Sequence, residues 1–305
     1  MDITSETLKS MGQAFDISFQ KGFTMAKPEH AAFSATVKSN GKSTYYPFLA
    51  TLGGIREWVG DRQITNVSGK ELEVKNRKFE GTVAVSRDDV QDDQTGLYGL
   101  LLQDLGARAA NFPGLLAAEA LVAGVAGKWC DDKEFFSTTR KYNKATISNK
   151  TASALSADAY AAARSAMRQY KGHDGSTMGV RPSLLVVGPK NEAMAFDILK
   201  NELAVKTRVE GATPVGGAVK NAWMGTSDYL VLDYLADDYD DYWFLMDAAK
   251  PLKPVLIQER EAPVLTALDK ETDPDVFKRD EFLYGVRMRY AATLTLPHTV
   301  YAGIL

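Results

Sequence analysis

The sequence has very few of the side chains on which most metal sites and nucleophilic active sites depend. It contains one cysteine, Cys130, and three histidines in 305 residues. A single cysteine excludes an internal disulfide and every metal site built from several cysteines. His30, His173 and His298 lie in different regions, without a cysteine or paired carboxylate at ligand spacing. We therefore expect no metal, no cofactor and no catalysis.

A surplus of one charge sign and a long apolar run are also absent. The formal net charge is −3, so no excess of basic residues favours strong binding to a polyanion, and any contact with nucleic acid should be local and weak. No apolar run approaches the roughly 18 residues of a membrane span, and the N-terminus lacks a secretion-signal pattern. We expect a soluble protein that works where it is made and has no membrane partner.

Three segments resemble functional motifs without completing them. Residues 41–44 (Gly-Lys-Ser-Thr) match the end of a phosphate-binding loop, but Thr36 stands where that motif needs glycine, so we predict a polar turn. The glycine-rich residues 211–217 indicate a flexible surface loop. The acidic run 237–241 lacks the glycine and distal glutamate of a calcium loop and is predicted to be a solvated connection between strands.

The N-terminal segment has an amphipathic start followed by a polar stretch. Residues 5–22 predict a helix with one apolar stripe, formed by Leu8, Met11, Phe15 and Phe19. Residues 22–51 contain Pro28, Gly41 and Pro47 and no sustained period, which predicts an irregular, extended arm. Because such an arm has no core of its own, we expect neighbouring molecules to cover it.

A predicted hairpin follows the arm. Residues 64–67 and 70–74 flank Ser68-Gly69, a plausible two-residue turn. Residues 79–86 then alternate apolar and polar side chains, which predicts a third strand with one face inward. At about 3.3 Å per residue these strands would reach roughly 20–25 Å, so the hairpin should project from its domain.

The remaining elements predict a mixed α+β fold. A long helix is expected to open at Asp88, Asp89, Asp92 and Asp93, to carry the stripe Leu97, Leu101 and Leu105, and to break at residues 111–113 before running on to Val125. A second helix, residues 156–170, has Ser156 as its N-cap and the stripe Tyr160, Ala163 and Met167. We also predict a helix over residues 191–202 and strands over residues 184–187, 229–232, 243–246, 255–257 and 282–296.

Residues 56–80 mix charges of both signs along the predicted hairpin. One interpretation is an ordinary solvated surface with weak ion pairs. The other is a tongue that lies across a neighbouring subunit, where complementary charge fixes the register. Composition alone leaves the two about even. The candidate inter-subunit contact residues are Arg56, Glu57, Trp58, Asp61, Arg62, Lys75, Arg77 and Glu80.

Several short motifs, in their order and spacing, resemble the Mu-like major head subunit family of tailed phages. They are residues 55–62 (IREWVGDR), 76–80 (NRKFE), 86–90 (SRDDV) with Asp92-Asp93, 96–98 (GLY), 135–136 (FF) and 277–290, which contains FLYGVR. The resemblance runs from the first predicted helix to the last predicted strand, and is densest over residues 56–98 and 277–292. It implies the Hong Kong 97 capsid fold.

The resemblance also implies a division of the chain. Residues 1–50 would form an N-terminal arm and residues 51–87 an extended hairpin called the E-loop. Residues 88–140 and 262–296 would form a peripheral domain with a long spine helix, and residues 141–261 and 297–305 an axial domain. The corresponding function is a major capsid protein that self-assembles into hexamers and pentamers around double-stranded DNA.

Further expectations concern partners and location. By resemblance, the chain works with portal and scaffolding proteins, a decoration protein is a further candidate partner, packaged DNA is touched without base readout, and the chain resides in the virion capsid after assembly in the bacterial host cytoplasm. An encapsulin-like compartment of the same fold is the first alternative, distinguished by protein cargo instead of DNA. A soluble α+β enzyme with an unrecognised site is the second, distinguished by its small oligomeric size.

Overall fold

The computed structural model describes residues 5–47, 71–91, 96–142, 145–172, 175–210, 213–270 and 272–305. The helices of these ranges are α1 (Ser5–Met25), α2 (Arg87–Gln91), α3 (Leu97–Ala123), α4 (Ala157–Arg168), α5 (Glu192–Leu199) and α6 (Pro274–Arg279). The strands are β1 (Ser34–Lys38), β2 (Ser43–Tyr46), β3 (Leu72–Lys75), β4 (Arg77–Ser86), β5 (Arg140–Tyr142), β6 (Ala145–Ile147), β7 (Lys150–Thr151), β8 (Leu184–Val187), β9 (Leu203–Glu210), β10 (Thr213–Lys220), β11 (Asp228–Val231), β12 (Trp243–Met246), β13 (Val255–Leu268), β14 (Glu281–Leu294) and β15 (Val300–Gly303). The class is α+β, as predicted. Among the described helices, none is long and apolar enough to cross a membrane.

A four-stranded sheet in the order β1-β13-β14-β4 forms one half of the molecule. Its two long strands, β13 and β14, pair antiparallel, and β4 pairs antiparallel with β14. The alternation predicted for residues 79–86 and the long strand predicted near residues 282–296 are both confirmed. The inward side chains of β14 pack against α1 and α3, and they are Phe282, Tyr284, Val286 and Met288.

A five-stranded sheet in the order β11-β8-β12-β15-β7 forms the other half. Successive side chains of β8 enter two different cores: Leu184 and Val186 face the core shared with α3, and Leu185 and Val187 face α4 and α5. All four are buried, which confirms the prediction of a strand covered on both faces. The strand predicted at residues 243–246 is also confirmed and equally buried.

The predicted cap and stripe of α4 are confirmed. Ser156 Oγ accepts a hydrogen bond from the Ala159 backbone N–H at 3.1 Å, as an N-cap does. Tyr160, Ala163 and Met167 are all buried, and Leu155 packs in the same cluster. The local sequence therefore determines both the start of this helix and its buried face.

The predicted break in α3 is wrong, because the helix continues through Pro113 for 27 residues. Proline removes one backbone hydrogen bond and disfavours the preceding turn. Here the buried face on both sides of Pro113, which packs on α1 and the long sheet, compensates for that loss. The predicted stripe was also misplaced: Leu97 and Leu101 are 54% and 47% exposed, whereas Leu102 is fully buried.

The prediction of an irregular segment over residues 22–51 is wrong in part. β1 pairs in parallel with the first residues of β13, and β2 pairs antiparallel with β3. Both strands are short and follow no clear period, so pairing partners distant in sequence are what hold them extended. The predicted strand 64–67, the turn Ser68-Gly69 and the carboxylates Asp92 and Asp93 lie outside the described residues.

Three further predictions need correction. The predicted loop over residues 211–217 is largely part of β10, which pairs with β9 despite Pro214, as an edge strand can tolerate proline.

β13 is 14 residues long, although only its start was predicted, because pairing with β14 extends it beyond the apolar run. Helix α5 ends at Leu199 instead of residue 202, where the Asn221 side-chain amide donates to the Ile198 carbonyl at 2.9 Å.

Candidate subunit interface

β2 and β3 hold together the two ends of residues 48–70, which include most of the predicted contact residues. These two antiparallel strands form a small ribbon, in which Tyr46, the last residue of β2, is paired with Leu72, the first residue of β3. The chain therefore leaves this ribbon at Pro47 and returns to it at Glu71, at one point of the surface. This is the attachment that a projecting hairpin requires.

A buried glutamine fixes the ribbon to the long sheet. Gln258 of β13 is fully buried, and its Oε1 accepts a hydrogen bond from the Tyr46 hydroxyl at 2.8 Å. Its Nε2 donates to Asn76 Oδ1 at 2.8 Å and to the Val74 carbonyl at 3.3 Å. Because every polar atom of this side chain is satisfied, burial of the amide favours one arrangement of β2, β3 and β13.

Asn76 extends this network to the turn that precedes β2. Its Nδ2 donates to the Gly41 carbonyl at 2.9 Å, and its backbone N–H donates to the Lys42 carbonyl at 3.0 Å. The buried Ser39 lies beside them, and its backbone N–H donates to the Glu259 carbonyl at 2.8 Å. The polar turn predicted at residues 41–44 is confirmed for Gly41 and Lys42, whereas Ser43 and Thr44 begin β2.

Three of the eight predicted contact residues lie on described strands next to this base, and all three are exposed. Lys75 Nζ lies 3.4 Å from Glu73 Oε2. The pKa of the Glu73 carboxyl is lowered, chiefly by a hydrogen bond from the Ser43 side chain and secondarily by Lys75. The other predicted contact residues lie outside the described residues, and they are Arg56, Glu57, Trp58, Asp61 and Arg62.

Arg77 already has partners within its own chain. Its Nη1 lies 2.7 Å from Glu119 Oε2 on α3, and its guanidinium lies 5.0 Å from the centre of the Phe79 ring. Glu80, further along β4, accepts a hydrogen bond from the Thr82 hydroxyl at 3.0 Å. Since these pairs are solvent-exposed, each is worth only about 0–1 kcal/mol to folding, and both charges remain available to a neighbouring molecule.

Lys75 and Arg77 also border a groove of 270 Å³ between α3 and the sheet. Its lining carries both charge signs, with Glu73 and Glu119 in addition to the two cations, and small apolar residues, among them Ala120, Ala123 and Ala292. Charged and apolar groups side by side are compatible with a contact surface between protein subunits.

The N-terminal segment is packed in part on its own chain, although the arm of residues 22–51 was expected to be covered by neighbouring molecules. Its stripe residues Phe15 and Phe19 are buried against α3 and the long sheet of the same chain, and Phe33 is fully buried as well. Two glycines allow the contact: a Cβ at Gly22 would overlap the Gln103 carbonyl, and one at Gly106 would overlap the Phe19 carbonyl.

The acidic run 237–241 connects β11 to β12 on the surface, as predicted. Asp241 Oδ1 lies 2.6 Å from Lys190 Nζ, which raises the pKa of that lysine. Throughout the described ranges, no three His, Cys, Asp or Glu side chains come close enough to hold a metal ion.

Two buried polar residues that join distant segments of the chain, Gln258 and Asn149, were not predicted from the sequence. The sequence gives a sign of Gln258, since it is a polar residue directly after the apolar run of residues 255–257. Asn149 had none, yet it is fully buried and its Nδ2 donates to the carbonyls of Phe135, Pro297 and Val300 at 3.2, 2.9 and 3.3 Å. It therefore ties the chain terminus to the segment after α3.

Comparison with known proteins assigns this architecture. Residues 8–156, 146–235 and 227–303 match the family described as Mu-like prophage major head subunit gpT. The major head subunit of the Mu-like prophage FluMu of Haemophilus influenzae is 25% identical over 288 residues, covering 94% of this chain and 70% of the relative. The major capsid protein of Escherichia phage Mu is 24% identical over 292 residues, covering 96% and 72%.

Solved structures share the fold. A chain of the procapsid of bacteriophage JBD30 superposes with a TM-score of 0.60 and 23% identity, covering 99% of this chain and 76% of that one. A virus-like particle from Pyrococcus furiosus gives a TM-score of 0.52 at 10% identity, covering 96% and 98%.

The fold is thus that of a phage capsid protein of the Hong Kong 97 class. Because the family model matches nearly the whole chain, the protein belongs to the family of Mu-like prophage major head subunits.

Proposed function

We propose that this chain self-assembles into hexamers and pentamers that form an icosahedral phage head around double-stranded DNA. The observation that carries the proposal is the match to the major head subunit family from residue 8 to residue 303. Closed shells of this kind are built from one subunit repeated in symmetric rings, so the subunit must present complementary surfaces to its copies.

The chain divides, in this proposal, into the arm, E-loop, peripheral domain and axial domain described above, with the same boundaries. The joined ends of residues 48–70 at the β2–β3 ribbon support an E-loop that projects from the subunit. The 27-residue helix α3 corresponds to the spine helix, and β14 with the second half of β13 corresponds to the long strands of the peripheral domain. The first half of β13, residues 255–261, lies on the axial side of the proposed boundary. The arm differs from a free strap, since α1 is part of the subunit's own core.

Adjacent subunits recognise each other in part through charge. Lys75, Arg77 and Glu80, with Arg56, Glu57, Trp58, Asp61 and Arg62 on the E-loop, meet reciprocal groups on the next subunit. Exposed charge pairs add little affinity each, but they penalise wrong registers and speed association. Many modest contacts of this type suit a shell whose subunits must adjust positions during assembly.

The proposed partners are portal and scaffolding proteins, a decoration protein, and packaged DNA bound through nonspecific phosphate contacts. The JBD30 chains come from a procapsid and from a capsid decorated with minor capsid protein trimers, which supports a similar series of states here. The chain would assemble in the bacterial cytoplasm, reside in the virion, and catalyse no reaction.

An encapsulin-like compartment has weaker support. The family model and both named relatives are phage head proteins, whereas the likeness to the Pyrococcus furiosus particle is 10% identical and concerns the fold alone.

Sedimentation of the expressed protein, with and without its scaffold, tests the proposal. We expect capsomers or particles in the megadalton range, and nuclease-protected DNA inside particles purified from phage-producing cells. A discrete small oligomer under all conditions would contradict shell formation, and a packaged protein cargo without DNA would favour the compartment.

A further inference from the structure

A recess beside α4 is lined by two cations and by no acidic side chain. It has a volume of 310 Å³, and its wall combines Arg164 and Arg168 of the helix with the indole of Trp223. The groove between α3 and the long sheet differs, because two glutamates balance the two cations that line it. The positive charge of the recess beside α4 is left without such a balance.

The guanidinium of Arg164 is held in place by neutral groups alone. Its Nη1 donates to the Pro182 carbonyl at 2.9 Å, and it also lies 3.2 Å from Ser227 Oγ and 3.4 Å from the Tyr160 hydroxyl. The side chain is partly buried, and no carboxylate of the described ranges forms an ion pair with it. A charge that is partly removed from water without a counter-ion is unfavourable, so this arrangement favours a bound anion.

Arg168 lies one helical turn after Arg164. Side chains at this spacing have Cβ atoms about 5–6 Å apart, and two like charges there destabilise the helix. The last turn of α4 favours a cation at Arg168 through the helix dipole, but Arg164 lies a turn earlier. An anion between the two guanidiniums would remove their repulsion.

The acidic residues closest to these elements in the chain do not supply that anion. Asp158, in the first turn of α4, lies about 9 Å from Arg164 along the helix axis. Asp228, which follows Ser227, is paired with Lys200 Nζ at 3.1 Å. The missing negative charge must therefore come from outside the described part of the chain.

Trp223 forms the other wall of the recess and is fixed by its surroundings. Its ring packs on the edge of Tyr160, with ring centroids 5.8 Å apart and an interplanar angle of 71°. Its backbone N–H donates to Asn221 Oδ1 at 2.9 Å, and its carbonyl accepts a hydrogen bond from the Thr226 hydroxyl at 2.7 Å. The indole is partly exposed. Aromatic rings beside cations are the combination with which proteins hold nucleotides, since the ring contacts the base and the cations contact the phosphate.

We propose that this recess binds the phosphate group of a nucleotide, with Arg164 and Arg168 on the phosphate oxygens and Trp223 against the attached base or sugar. Arginine suits this role because its planar guanidinium can donate two parallel hydrogen bonds to one phosphate. The phosphate has two possible sources, a free nucleotide and a DNA strand. Phosphate binding is independent of the proposed function, whereas the assignment of the phosphate to packaged DNA rests on it.

Binding to the unassembled full-length subunit tests the site. Fluorescence anisotropy at low salt measures the affinity for a short, labelled, single-stranded oligothymidylate. Four unlabelled compounds then compete with it: thymidine monophosphate, a DNA duplex of the same length, inorganic phosphate and oligoglutamate. Arg168→Gln removes one charge of the recess at an exposed position, and Trp223→Leu and Trp223→Phe test the aromatic wall.

Arg108→Gln is the matched control. Arg108 is also an exposed arginine on a helix, but its Nε already lies 2.7 Å from Asp104 Oδ2. We expect Arg168→Gln to weaken oligothymidylate binding about tenfold or more and Arg108→Gln to change it less than about twofold. Loss of one phosphate contact should also reduce the salt dependence of binding, by about 0.7 in the slope of log K against log salt concentration. Trp223→Leu should weaken binding about fivefold or more, whereas Trp223→Phe should retain most of it.

Competition identifies the source of the phosphate. Competition by the duplex as well as by the single strand would support packaged DNA, and competition by thymidine monophosphate alone would support a free nucleotide. Stronger competition by oligoglutamate than by any phosphate compound would overturn the phosphate assignment in favour of a carboxylate. Equal losses in Arg168→Gln and Arg108→Gln, or no binding by the unaltered subunit, would overturn the site itself.

Sedimentation of the same variants records particle formation separately. Normal particles from a subunit that binds no phosphate compound would overturn the site and leave the capsid function standing. An unaltered subunit that binds nucleotide at the recess but never forms particles would overturn the capsid function and leave the site standing.

Discussion

Gly106 of α3 packs directly on the backbone of Phe19 of α1. A Cβ at position 106 would overlap the Phe19 carbonyl oxygen, and a Cβ at position 22 would overlap the Gln103 carbonyl oxygen. The two helices are therefore in backbone contact at their crossing. This contact makes the N-terminal helix a fixed part of the subunit, and the aromatic stripe of α1 closes the core beneath it.

Gly106→Ala should destabilise the subunit by about 1–3 kcal/mol, the usual cost of overpacking a close contact. Gly99→Ala is the matched control on the same helix, since its Cβ would meet only Ser18 Oγ at 3.6 Å. That control should be neutral or stabilise by up to about 1 kcal/mol through helix propensity. Urea unfolding of unassembled subunits measures both, and equal effects at the two sites would contradict the close crossing.

Gln258→Leu should loosen the base of the E-loop without unfolding the subunit. The change removes the hydrogen bonds that Gln258 makes with the Tyr46 hydroxyl and with Asn76 Oδ1, at about 1–3 kcal/mol for each of these groups that becomes buried and unsatisfied. Hydrogen–deuterium exchange should become faster in β2 and β3 and stay unchanged in β12. Tyr46→Phe removes one of these hydrogen bonds and should give a smaller effect in the same strands; exchange that rises equally everywhere would contradict a local role.

Asn149→Ala should cost about 3 kcal/mol or more, because it leaves three carbonyls and the Ser137 N–H without the side-chain amide. Asn149→Asp should be at least as damaging, since a carboxylate would face those carbonyls. Asn201→Ala, which loses one exposed side-chain bond to Asp197, is the control and should change stability by less than about 1 kcal/mol. Thermal unfolding distinguishes them.

Arg62→Glu and Arg77→Glu should each leave a folded subunit that assembles poorly. For Arg77 the structure adds a complication, because the new carboxylate would lie beside Glu119. Arg77→Glu combined with Glu119→Arg restores that pair while keeping position 77 reversed, so its assembly should remain impaired. Normal shells from both single variants would refute the role of charge between subunits. Full recovery of assembly in the double variant would show that Arg77 acts only through its pair with Glu119 in the same chain.

His298 should make the subunit less stable in acid. Burial and the nearby Lys250, which itself pairs with Asp247, lower the pKa of His298 to about 4 from its usual 6.5. The unfolded chain then binds more protons than the folded one between these values, so stability falls as pH drops from about 6.5 to about 4, by at most about 2–3 kcal/mol. His298→Gln should flatten this part of the stability profile; an unchanged slope would contradict it. Burial lowers the pKa of His30 too, so some slope should remain.

Elements governed by local chemistry could be predicted from the sequence. Ser156 caps α4 with its own side chain, and the alternation along β4 follows from the two-residue period of a strand. The family resemblance then placed these elements in the correct fold. What failed was decided by residues far apart in the chain: β1 exists because β13 accepts it, and α3 continues through Pro113 because α1 and the sheet bury it.

The candidate interface was predictable only in part, for the same reason. The exposed charges Lys75, Arg77 and Glu80 could be selected by pattern, but the pairing of Arg77 with Glu119 joins residues 42 positions apart. The Gln258 network joins residues more than 180 positions apart, and a glutamine directly after the apolar run of residues 255–257 was only a weak local sign. No local rule anticipates the glycine contacts between α1 and α3.

Electron cryomicroscopy of the assembled protein would show whether the subunits form a closed shell. We expect closed shells whose asymmetric unit contains hexamer and pentamer subunits, each with residues 48–70 resting on an adjacent copy and α1 packed on its own α3. Discrete particles of a few subunits, with residues 48–70 folded against their own chain, would contradict it.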